Sequence, residues 1–99
     1  MTKANQPEFD ELILSKTRLG IISALIGGDK LDFTYLRNAL KLSDGNLSVQ
    51  IRKLEESGYI KVEKIFVSRK PKTFCRITAS GRKAVVCLVK HLEDLVEAD

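Results

Sequence analysis

SDGNLSVQIRKLEESG, residues 43–58, opens with a helix start and closes with a helix stop. Leu47, Ile51 and Leu54 recur at i, i+4 and i+7, so they form one narrow apolar stripe. At about 100° per residue, the opposite face carries Gly45, Asn46, Val49, Arg52 and Lys53. Those side chains are small, amide-bearing or cationic, the types that approach a base edge or a phosphate. Ser43 or Asp44 can cap the first turn, because a short side-chain oxygen accepts from a free backbone N–H there. Gly58 follows the last turn, where the chain needs a left-handed residue. Two readings fit this stretch alone: the second helix of a helix-turn-helix, or an ordinary amphipathic surface helix. The flanking sequence has to separate them.

Upstream, Lys41-Leu42-Ser43 is a tight connection, preceded by about two turns of helix over residues 34–40 with Leu36 and Leu40 inward. Two short helices joined so closely, the second more polar outside, match a helix-turn-helix. Residues 29–33 carry apolar side chains at alternate positions and predict a minimal strand. Before them, Leu19, Ile22, Leu25 and Ile26 repeat with helical period, and Gly27-Gly28 ends the run. Pro7 suits the first turn of a helix that places Phe9, Leu12 and Ile13 on one face.

Downstream of Gly58 the apolar period changes from about 3.6 to 2. Ile60 and Val62 alternate with charges, which predicts a half-buried strand over residues 59–67. Residues 68–72, SRKPK, predict a turn, because Pro71 cannot continue a paired central strand. Residues 73–78 predict a second strand, giving a hairpin with a cationic tip. Thr78 or Ser80 starts a final helix. Val85, Leu88, Leu92 and Leu95 form an a/d seam along it, and Val89 and Val96 widen that seam. So long an apolar side predicts pairing with a second copy, with Phe9, Leu12 and Ile13 assisting.

Charge is unevenly spread. Residues 61–83 hold eight cations and one anion, a net +7, whereas residues 84–99 carry a net −3. One sign concentrated in a segment points to a polyanionic partner. The whole chain of 99 residues carries +4 and fits a single domain. No apolar run approaches the ~18 residues a membrane span needs. No secretory leader is seen, and Cys75 and Cys87 have no pair spacing, so the expectation is a reduced, cytoplasmic protein without membrane attachment. His91 has no second His or Cys at ligand spacing, so neither a metal nor another cofactor is expected. Without a phosphate loop, paired carboxylates or a nucleophile with its base, an enzyme is not expected either.

LKLSDGNLSVQIRKLEESGYIKVEK, residues 40–64, and RKPKTFCRITASGRKAV, residues 69–85, resemble the winged-helix transcription regulators of the MarR and ArsR kind. The matching positions are Leu42-Ser43, Leu47-Ser48, Ile51, Leu54-Glu55, Gly58, Ile77-Thr78 and Gly81-Arg82. The resemblance covers roughly residues 18–83 and is nearest to a short, single-domain subgroup. It implies a mainly α (α+β) fold: a winged helix-turn-helix with a two-stranded wing and a long C-terminal dimerisation helix. Residues 1–99 would form one DNA-binding domain, with residues 1–15 and 79–99 as the dimerisation helices. There are two departures. Gln50 stands where many members carry His, and the cysteine-rich motif of ArsR metal sensors is missing.

The resulting expectation is a homodimeric regulator that reads double-stranded DNA. Asp44, Gly45, Asn46, Ser48, Val49, Arg52 and Lys53 would face the major groove, with Arg52 on guanine, Asn46 on adenine and Lys53 on phosphate. Gln50, at the edge of the stripe, would support the helix. Arg69, Lys70 and Lys72 would hold the backbone or enter the minor groove. Dimerisation would use Phe9, Leu12, Ile13, Val85, Leu88, Val89, Leu92, Leu95 and Val96. Two other readings stay open: a non-specific nucleic-acid-binding architectural protein, and a winged-helix protein-interaction module.

Overall fold

The structure is a computed structural model that describes residues 9–97. A 3-10 turn, Glu11–Leu14, leads into α1 (Lys16–Gly27), β1 (Leu31–Asp32), α2 (Phe33–Leu40), α3 (Asp44–Glu56), β2 (Ile60–Val67), β3 (Lys70–Ile77) and α4 (Ala79–Glu97). This is a winged helix. The sheet is antiparallel in the order β1-β3-β2, with Leu31 opposite Cys75 and a continuous β2–β3 ladder from Ile60↔Ile77 to Val67↔Lys70. No helix among the described residues is long and apolar enough to cross a membrane.

Local chemistry sets the helix starts. Ser15 accepts from the Arg18 N–H, Asp32 from Tyr35 at 2.8 Å, and Ser43 from Asn46 at 3.1 Å. Each bond satisfies a first-turn donor that has no partner inside the helix. Thr78 does the same for α4: its Oγ1 accepts from the Gly81 N–H at 3.0 Å and donates to the Gly58 carbonyl at 2.7 Å. Gly58 takes φ +83°, the left-handed turn that leads from α3 into β2.

The core gathers one face from every layer. Ile21, Ile22 and Leu25 of α1 meet Leu36 of α2, and Leu47, Ile51 and Leu54 of α3 close over them. Ile60 and Cys75 supply the sheet, Ala84 and Leu88 the last helix. Fully burying such a side chain contributes about 1.5–3 kcal/mol. With the whole stripe of α3 buried, its other face is left for solvent.

Three expectations are corrected here. First, the hairpin turn is only Ser68-Arg69, both left-handed at φ 53° and 68°, and β3 already begins at Lys70. Pro71 therefore lies in the strand, opposite Phe66. It is tolerated because β1 covers β3 only at Phe74 and Cys75, so at Pro71 one side of the strand has no neighbour. Second, the segment before α1 is a 3-10 turn between Asp10 and Ser15, not a face of a regular helix. Pro7 and the rest of residues 1–8 lie outside the described residues. Third, Ile13 is fully buried and Leu88 is 4% exposed within this one chain, so neither is available to a second copy. Phe9, Leu12 and Val85 are half-buried against the same core. The seam of α4 thus divides: its first turns cover the chain's own core, and Val89, Leu92, Leu95 and Val96 stay exposed.

Cys75 shows what the core does to a titratable group. Burial pushes its thiol up to about 11. The thiol then stays protonated and shielded in the folded chain. A maleimide at pH 8 is expected to label Cys75 only when urea unfolds the protein. Labelling at the same rate with and without urea would show that the core opens there.

Candidate nucleic-acid interface

The exposed face of α3 is built by subtraction. The apolar stripe faces inward, so Gly45, Asn46, Ser48, Val49, Arg52 and Lys53 are all exposed, as is Asp44 at the first turn. Val49 is 46% exposed despite being apolar. Exposed acids stand at both ends of the face: Asp44 in the first turn, whose carboxylate pairs with the Arg37 guanidinium of α2 at 2.8 Å, and Glu56 in the last turn, one turn beyond Arg52. The helix N-terminus adds its own partial positive charge.

A second layer holds this face. Arg18 of α1 donates from Nε to the Leu12 carbonyl at 2.5 Å and from Nη1 to Oε1 of Gln50 at 2.7 Å. Gln50 in turn donates to Oδ1 of Asn46 at 3.1 Å. The expected supporting role of Gln50 thus has a specific partner. Neither Arg18 nor Arg37 stands out in the sequence, and for Arg18 no local pattern points to a residue in α3.

The wing carries the other cations. Arg69 sits at the apex of the turn, while Lys70 and Lys72 are on β3, two residues apart and so on one face of the strand. They are not equivalent. Lys72 reaches the Asp32 carboxylate at 3.7 Å, which ties it to the start of α2. Arg69 and Lys70 are exposed and make no ion pair among the described residues. Phe66, 77% exposed, stands beside them on the opposite face of the wing tip. Lys64, on β2, and Arg76, on β3, are exposed farther from the tip.

A helix face of small and cationic side chains with a basic hairpin next to it offers hydrogen-bond donors and positive charge to a polyanion.

The comparisons with known proteins agree with this geometry. The profile of the family described as "Winged helix DNA-binding domain" matches residues 17–96. An uncharacterized protein of Methanocaldococcus jannaschii is 39% identical over 70 residues, covering 71% of this chain and 76% of that protein. The structure of a transcriptional regulator homologue from Pyrococcus horikoshii superposes with a TM-score of 0.79 at 31% identity, over 89% of this chain and 87% of that one. The structure of MarR shares the fold at 21% identity, with a TM-score of 0.73 over 87% of this chain and 64% of that one. The MepR–DNA complex of S. aureus does so at 18% identity, with a TM-score of 0.72 over 88% of this chain and 71% of that one. This chain belongs to the winged-helix DNA-binding domain family, with a MarR-like fold.

Proposed function

We propose that the protein is a sequence-specific transcriptional regulator that binds double-stranded DNA as a homodimer. The observation that carries this reading is the exposed face of α3. It is free of intrachain cover, it is rigidly backed by the core, and the acid in its first turn, where the base-reading end lies, is already paired with Arg37. A helix of this kind fits the major groove, where base edges can be told apart. Arg52 then reaches a guanine edge, Val49 a thymine methyl and Ser48 a base or phosphate, while Lys53 binds a phosphate. Gly45 keeps the helix close to the groove, and Asp44 lies at its rim. Arg69 and Lys70 extend the contact to the backbone or the minor groove, and Lys72 contributes less because Asp32 already holds it. The exposed end of α4 joins two copies. The M. jannaschii and P. horikoshii relatives and the MepR–DNA complex support the reading by family and by fold. Such a regulator acts in the cytoplasm, on the cell's own genome.

Selection of bound duplexes from a random pool at near-physiological salt tests it. The expected result is an inverted repeat with half-sites about one helical turn apart. Binding without any enriched sequence would reduce the protein to an architectural role. No binding at all would turn the search to protein partners.

The two groups of cations are expected to do different work. Arg52→Ala should change which sequence is preferred, because it removes a base contact. Lys70→Ala should weaken every duplex alike and lower the salt slope by about 1, because it removes a phosphate contact. Titrations of cognate and scrambled duplexes across a salt series check this. The same fractional loss on every sequence for both variants would overturn the division.

A further inference from the structure

Asn46 of a groove-reading helix is expected to read adenine, which requires its amide to offer an acceptor and a donor together. The hydrogen bonds around it set a different polarity. A guanidinium has donors only. Arg18 spends Nε on the Leu12 carbonyl and Nη1 on Gln50, so the Gln50 atom that faces it has to be Oε1. That turns Nε2 of Gln50 toward Asn46, and a donor there requires Oδ1 of Asn46 as its acceptor. The direction of the whole chain therefore follows from the chemistry of Arg18. One end is held by main chain ahead of α1, and the other lies in the first turn of α3, where such helices contact base edges. Asn46 is exposed, and its Nδ2 donates to nothing among the described residues.

We propose that Arg18 and Gln50 fix Asn46 as a hydrogen-bond donor toward the major groove, so that the base it reads is guanine. This rests on the reading of α3 as the sequence-reading helix. Guanine presents two adjacent acceptors in that groove, N7 and O6. Adenine sets its own amino donor beside N7, and cytosine offers only a donor, so both oppose an outward-facing amide N–H₂. Thymine offers a single acceptor flanked by a methyl group. Arg18 and Gln50 are positioning residues here, since neither need touch the DNA.

Gln50→Glu tests the polarity directly. A carboxylate keeps one oxygen for Arg18 and turns another toward Asn46. Because it only accepts, Asn46 has to rotate its N–H₂ inward and its carbonyl outward. An outward carbonyl selects donor edges, those of cytosine or adenine. Gln50→Leu cuts the link without reversing it.

In duplex selection, wild type is expected to enrich guanine at one symmetry-related position. Gln50→Glu should shift that position about tenfold toward cytosine or adenine and leave the others unchanged. Gln50→Leu should flatten it. A role confined to stability would not invert a single base preference. The side-chain amide signals of the free protein give a reading without DNA. In wild type the Gln50 amide protons should exchange slowly and those of Asn46 fast; in Gln50→Glu the Asn46 pair should become protected. An enriched operator that Gln50→Glu leaves untouched at every position would overturn this inference alone. Protected Gln50 amides with no enriched sequence in wild type would overturn the reading of α3, and the inference with it.

Discussion

Gly81→Ala is expected to destabilise the protein by about 3 kcal/mol, although it adds one methyl group. A Cβ at this position would lie 2.3 Å from the Tyr59 carbonyl oxygen and 2.8 Å from Cγ1 of Ile77. No real Cβ is found so near a backbone oxygen, and that oxygen cannot retreat easily. It accepts the Thr78 N–H at 3.0 Å, while Thr78 is bonded through its hydroxyl to Gly58 and to Gly81 itself. Moving α4 outward would relieve the methyl but pull apart the junction where α3, β2, β3 and α4 meet. Overpacking of this kind costs about 1–3 kcal/mol, sometimes more. For a domain near 100 residues, the upper end corresponds to a fall in Tm of roughly 15 °C. Gly45→Ala is the matched control. Nothing lies within 4 Å of its added Cβ, and it sits in α3, so the change should raise stability by up to about 1 kcal/mol. Thermal and urea unfolding followed by circular dichroism decides the matter. A Gly81→Ala protein within about 0.5 kcal/mol of wild type would mean that the junction is looser than these distances state.

That junction also shows which parts of the fold were legible in the sequence. The helix-turn-helix could be read because its signals are local: a capping Ser43, three apolar residues at helical spacing and Gly58 at the stop. The wing is legible as a hairpin, but its turn is tighter than its residues suggest. Ser68-Arg69 carries neither the Asn nor the Gly that normally marks a two-residue turn, so by sequence Pro71 marks the end of the strand rather than a residue on its open side. Periodicity found the apolar face of α4 but could not say what covers it. By periodicity alone Ile13 and Leu88 therefore point to a partner, although the chain's own core takes them. The support behind α3 left no sequence trace, since Arg18 and Gln50 lie 32 residues apart and only the fold brings them together.

The division of α4 makes the assembly testable with little risk to the fold. Leu92→Asp with Val96→Asp is expected to convert a dimer into a folded monomer. Leu92 and Val96 are 49% and 83% exposed in the single chain, and together with Val89 they line a shallow apolar groove. Leu95 and Val86 add further exposed apolar surface. A soluble chain seldom leaves so much apolar surface contiguous unless something covers it. In the proposed reading a second copy covers this surface, since an inverted-repeat operator would present two equivalent half-sites to a two-fold symmetric protein. The charged variant should therefore lose operator affinity as well. Losing the linked second half-site costs about 10²- to 10⁴-fold, with no DNA contact altered. Binding of an isolated half-site should stay near its wild-type level, which separates loss of linkage from damage to α3. Leu88→Asp provides the contrast. At 4% exposure it places a charge in the core, so it should unfold the chain instead of dissociating it. Sedimentation at micromolar concentration reads the first step and duplex titration the second. A wild-type protein that sediments as a monomer would remove the dimer, and a doubly charged variant that still sediments as a dimer would move the interface away from the end of α4.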